Sequence, residues 1–139
     1  MSWINPKTDW RSNDYFNVGD WERIVNNIQY LANAYPNYEL RSPNLANINL
    51  DRDTLSLPYV SLINKLEQNL TLLYDILDEP DEVQWQKVTW YNRSSSNYVR
   101  NPDYTDWIRW EKLLLDIYNV ISKFVKMSYI SNEFISGEV

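Results

Sequence analysis

The chain has 139 residues, with no cysteine, no histidine, and 19 acidic against 13 basic side chains, for a net charge of −6. Zinc fingers, Cys–His pairs, Ser–His–Asp triads and histidine general bases are thereby excluded, whereas oxygen-donor Mg²⁺ or Ca²⁺ sites and carboxylate-pair chemistry remain open. The length suits one domain, and the acidic balance argues against nucleic-acid phosphates as a partner.

Residues 1–17 read as an N-terminal arm carrying Trp3 and Trp10. Its start, Met1-Ser2-Trp3-Ile4-Asn5-Pro6, has neither a cationic head nor an apolar run, so no secretion signal is expected. The first helix is predicted over 18–34. Asn17 is a suitable N-cap, Asp20 complements the helix dipole, and Trp21, Ile24, Val25, Ile28 and Leu31 form one stripe. Tyr35-Pro36 supplies the stop. Residues 36–56 form a long connection of turn chemistry, expected to pack along the helices through Leu40, Leu45, Ile48, Leu50 and Leu55.

A second helix is predicted over 58–77, with Pro58 in its first turn and apolar residues at spacings of three and four from Tyr59 to Leu77. Asp78-Glu79-Pro80-Asp81-Glu82 ends it as a solvated acidic turn, without the ligand spacing of a calcium loop. Over 83–100 the sequence becomes β-prone and aromatic. It suggests a short β-hairpin with strands near 84–91 and 97–100, or else an irregular aromatic loop. The third helix is predicted over 103–129, capped by Asp103, with a frayed end over 131–139. No stretch is apolar enough for membrane insertion.

Three helix starts repeat one another. Aligning Arg23, Lys65 and Arg109 gives periods of 42 and 44 residues, the mark of one helical unit used three times. The fold class expected is therefore mainly α, a three-helix bundle built from a degenerate helical repeat. Glu67 and Glu111 share a repeat position, which implies equal exposure more readily than an acid–base pair. Arg23 and Arg109 stand beside Asp20 and Asp106 as salt-linked helix surface. Asn27 and Asn69 also align and are expected to bond neighbouring backbone. The sequons at Asn69 and Asn92 are read as chance.

Seven Trp and eleven Tyr against three Phe favour rings with a polar edge. The candidate interaction residues are Trp85, Trp90, Tyr91 and Tyr98, and Trp3 and Trp10 in the arm. The first group either presents a surface for a sugar or protein partner or folds back over the bundle. The arm clasps either its own bundle or a neighbouring subunit.

Trp3-Ile4-Asn5-Pro6-Lys7-Thr8-Asp9-Trp10, then Asp14-Tyr15-Phe16-Asn17 with Asp20, then Arg23-Ile24 with Asn27-Ile28 and Leu31, resembles a segment of tail and baseplate-region structural proteins from phages and prophages of Gram-positive bacteria. In those proteins a tryptophan arm precedes a Phe-Asn-x-x-Asp turn and a helix with an Arg-Ile-x-x-Asn-Ile pattern. The likeness covers residues 3–31, and Glu22 and Trp107-Ile108 depart from the family's Asn-Arg-Ile-Glu form. The resemblance implies a virion structural or assembly protein with no catalytic residues, no cofactor and no metal. Its implied partners are other virion proteins and further copies of itself. A carbohydrate- or host-receptor-binding module using Trp85, Trp90 and Tyr91 is the alternative.

Overall fold

The computed structural model describes residues 2–50, 60–78 and 81–137, with helix side chains described as far as residue 124. Among these residues the chain forms α1 (Val18–Ala34), a 3-10 turn (Tyr35–Tyr38), α2 (Val60–Ile76) and α3 (Tyr104–Gly137), and no strand. The architecture is a three-helix bundle, and Ile24, Leu66 and Leu114 lie in one continuous buried cluster.

α1 begins where local chemistry directs. The Asn17 side chain accepts from the Asp20 N–H, and the Asp20 carboxylate accepts from the Asn17 N–H, each at 3.0 Å. α1 ends before Pro36, and the turn that follows closes at Glu39, whose φ of 63° reverses the chain. The start predicted for α2 at Pro58, together with Leu55, lies outside the described residues. α3 runs to Gly137 instead of ending near 129, and the frayed end expected from residue 131 is helical through 137. No proline or glycine interrupts the helix before Gly137.

All three helices point the same way. Arg23, the sixth residue of α1, bonds Glu111, the eighth of α3, and Arg109, the sixth of α3, bonds Glu67, the eighth of α2. At the other end, the Tyr35 hydroxyl donates to the Leu73 carbonyl near the end of α2 at 2.7 Å. Burial pushes that phenol well above its usual pKa. A parallel bundle obliges the chain to travel back along each helix before starting the next. A 17-residue helix is about 25 Å long, which an extended chain covers in roughly eight residues. This explains the long connections. Residues 40–50 and 83–92 are return straps that belong to no helix or strand, and residues 2–16, with a turn at 12–13, form a third strap of the same kind.

The hairpin suggested over 83–100 does not form. Two strands would have paired with each other, whereas this segment lies singly in the groove between α2 and α3. Val83 and Trp90 are buried, and Trp90 gives both its main-chain groups to Asn64. Residues 93–97 form the turn that follows.

Candidate functional site

Each groove of the bundle holds one strap, and each strap is fastened by an asparagine. Asn27 accepts from the Ile4 N–H at 3.0 Å and donates to the Ile4 carbonyl at 2.7 Å. Asn69 does the same to Ala46, with both bonds at 2.9 Å. Both clamps reach back 23 residues, so the repeat includes the strap as well as the helix. In the α2/α3 groove the repeat position of Asn27 and Asn69 is Leu113, and Asn64 clamps Trp90 instead, at 2.7 and 2.9 Å. A side-chain amide presents the same donor and acceptor as a peptide group. It therefore satisfies a lone extended segment where no second strand does.

Two grooves carry a further fastening, a fully buried carboxylate. Glu111 accepts from Arg23 at 2.6 and 2.9 Å, from the Trp10 indole at 2.6 Å and from the Lys7 N–H at 3.1 Å. Glu67 accepts from Arg109, from the indoles of Trp90 at 3.1 Å and Trp110 at 2.8 Å, and from the Val88 N–H at 3.2 Å. Each carboxylate thus joins a helix, a neighbouring helix and a strap. The arginines are themselves held from behind, Arg23 by Asp20 at 3.0 Å and Arg109 by Asp106 at 3.3 Å. Hydrogen bonding to Glu111 and the nearby carboxylate charges raise the pKa of Arg23 despite the opposing effect of burial.

The salt-linked surface expected for Arg23 and Arg109 is therefore half of what they do, since each also reaches into the interior. Glu67 and Glu111 do share one exposure, as their repeat position implies, but that exposure is essentially zero. Both stand on an apolar stripe, Glu67 between Ile63 and Leu70 and Glu111 between Trp107 and Leu114. A glutamate at that spacing is the signal that a reading by repeat position missed. Both oxygens of each carboxylate accept hydrogen bonds from within the protein, and neither residue is more than 1% exposed. Their geometry fastens the chain.

The six candidate interaction residues divide sharply. Trp10 and Trp90, 5% and 4% exposed, are turned inward onto Glu111 and Glu67 and offer no ring to a partner. Trp10 also meets Trp107 edge-on at 5.0 Å, under Lys7 at 4.4 Å; Trp90 lies under Arg100 at 4.9 Å. Trp3 stacks on Tyr118 at 4.3 Å, so the arm clasps its own bundle. Trp85 is half-buried, donates to Thr71 at 2.9 Å and is covered by Arg109 at 4.7 Å. Tyr98 is half-buried, and only Tyr91, at 40%, is exposed. Among the described residues Tyr15 and Val99, neither of them one of the six candidates, are the most exposed large apolar side chains.

At the N-terminal end of the bundle, repeat-equivalent Trp21, Ile63 and Trp107 surround an apolar hollow of about 380 Å³, which Phe16 and Pro102 also line. Among the described residues no buried side-chain donor or acceptor lacks a partner, and no three Asp or Glu side chains gather as metal ligands. Glu79 of the acidic turn lies outside them. No described helix is long and apolar enough to cross a membrane. No protein-family model matches this chain, and comparison with curated proteins and with solved structures returns no similar protein.

Proposed function

We propose that this chain is a non-enzymatic structural or assembly protein of a bacteriophage or prophage particle. It belongs to the tail or baseplate region and acts through contacts with other virion proteins and with its own copies. It is made in the bacterial cytoplasm and resides in the virion. The resemblance over residues 3–31 motivates the reading, and the role of that motif in the fold supports it. Trp10 and Arg23 meet on Glu111, Asn17 and Asp20 cap α1, and Asn27 clamps Ile4. The motif is thus a set of fastenings for a strapped bundle, and such a preorganised module suits assembly into a repeating particle.

Because Trp10 and Trp90 are consumed inside the molecule, contacts fall to Tyr15, 90% exposed, and to Val99 at a similar level. The test is size-exclusion chromatography with light scattering, with the chain alone and then mixed with purified tail and baseplate proteins. Co-elution weakened by Tyr15→Ala or Val99→Ser, with unchanged circular dichroism, is expected. A chain that stays monomeric with every component, and that mass spectrometry does not find in purified particles, overturns the proposal.

A further inference from the structure

The outer side of the α2/α3 strap lines an open groove of about 580 Å³ between the start of α2 and the turn at 92–97. A hollow of about 200 Å³ adjoins it, and Thr89, Trp90 and Tyr91 line both. Although 23% of the chain is charged, none of the described residues lining the larger groove is, and Arg100, which lines the smaller hollow, is already paired with Asp106 at 2.6 Å. The larger groove is lined instead by hydroxyl- and amide-bearing residues, Ser61, Thr89, Tyr91, Asn92 and Ser95, the last of which already accepts from the Asn97 N–H at 3.1 Å.

That composition selects a class of ligand. An ion would leave water without gaining a counter-charge, and a purely apolar molecule would strip hydroxyls and amides of their hydrogen bonds. A neutral sugar ring meets both demands, with a C–H face for the exposed Tyr91 ring and hydroxyls for the surrounding donors and acceptors.

The groove is also preformed. Trp90, next to Tyr91, is held through both main-chain groups by Asn64, through its indole by Glu67 and across its face by Arg100. A backbone fixed at that point sets where the tyrosine side chain leaves the strap before a ligand arrives, which lowers the ordering cost of binding. We propose that this groove is a binding site for a neutral saccharide, with Tyr91 as the stacking ring and Ser61 and Asn92 as polar contacts. The site goes beyond the assembly role and does not depend on it.

The test is an amide-resolved NMR titration of the whole chain against a panel of neutral hexose and N-acetylhexosamine oligosaccharides, with an anionic oligosaccharide alongside. Saturable shifts confined to residues 60–64 and 89–95 are expected with a neutral member. Tyr91→Ala should weaken that binding at least about tenfold, and Tyr15→Ala, an exposed tyrosine outside the groove, should leave it unchanged. Circular dichroism of both variants confirms the fold. The proposal is overturned if no neutral saccharide shifts these amides up to about 10 mM, if Tyr91→Ala binds as tightly as the wild type, or if only the anionic oligosaccharide binds. Failure here with intact particle association would remove the saccharide site alone.

Discussion

The α1/α3 groove and the α1/α2 groove hold straps of the same kind on different fastenings. Both use an asparagine clamp, Asn27 on Ile4 and Asn69 on Ala46. Among the described residues only the first adds a buried charge, the Arg23–Glu111 pair with the Trp10 indole on it. In the second the repeat positions of that pair are Lys65, exposed on α2, and Val25, packed against the core from α1. There the Trp21 indole donates to the Ile48 carbonyl at 3.1 Å instead of to a carboxylate. The clamp is therefore the common requirement for holding a strap. The buried ion pair is an addition whose attraction must offset its own desolvation.

The comparison breaks most visibly at Glu67, which carries the same kind of hub in the α2/α3 groove. Glu67→Ala leaves Arg109 and two indoles facing each other across an emptied site and should cost about 3–5 kcal/mol. Urea unfolding followed by circular dichroism measures it. Val25→Ala, at the matching position of the groove without a hub, should cost only about 1 kcal/mol by the same assay. Near-equal losses would mean that the carboxylate hubs add nothing to the strap.

The clamps should behave alike. Asn27→Ala and Asn69→Ala each orphan one main-chain donor and one acceptor, and each should lose about 2–3 kcal/mol. Hydrogen exchange distinguishes them, because only the Ile4 amide should lose protection in the first variant and only the Ala46 amide in the second. Their effects should add, since they share no partner. Trp10→Phe keeps most of the ring contact with Trp107 but removes one N–H from Glu111, a charge-assisted bond worth about 1.5–2 kcal/mol.

The helix starts offer a finer contrast. α1 is capped by a neutral side chain, Asn17, whereas at the start of α3 the Asp103 carboxylate accepts from the Thr105 N–H at 2.9 Å. Bonding from the Thr105 hydroxyl comes first among the causes that lower the pKa of Asp103, ahead of the Thr105 N–H and of Arg100. A carboxyl whose pKa falls on folding stabilises the fold above its unfolded value. It loses that contribution as pH drops from about 4 through the lower folded value. Asp103→Ala should cost about 1 kcal/mol at neutral pH, and the gap from wild type should narrow in acid. The cost of Asn17→Ala should not narrow in that way. The smallest effect belongs to Lys65→Ala, expected within about 0.5 kcal/mol because the side chain is exposed. A larger loss would reveal a third charged fastening in the α1/α2 groove.

How much of this could be read beforehand depended on the range of each interaction. The bounds of α1, its Asn17 cap and the membership of Ile24, Leu66 and Leu114 in one core follow from caps and apolar spacing within a few turns of helix. The alignment of Asn27 with Asn69 pointed to shared backbone bonding, which the clamps provide. For Trp10 and Trp90 the sequence left open whether the rings are presented or folded back, because their partners lie 101 and 23 residues away and nothing in the local pattern names a distant carboxylate.

Local periodicity in this chain is enough to say where helices begin and that three of them share a core, because hydrogen bonding and stripe formation act over four residues. The direction of those helices is a different matter. A repeat of 42 and 44 residues suits either an alternating or a parallel bundle, provided that the connections are long enough. Only the meeting of Arg23 with Glu111, of Arg109 with Glu67 and of Tyr35 with Leu73 selects the parallel arrangement. That choice puts extended straps in the grooves and glutamates beneath them, because burying a lone extended chain or a charge is tolerable only where every polar group meets a partner from another part of the molecule.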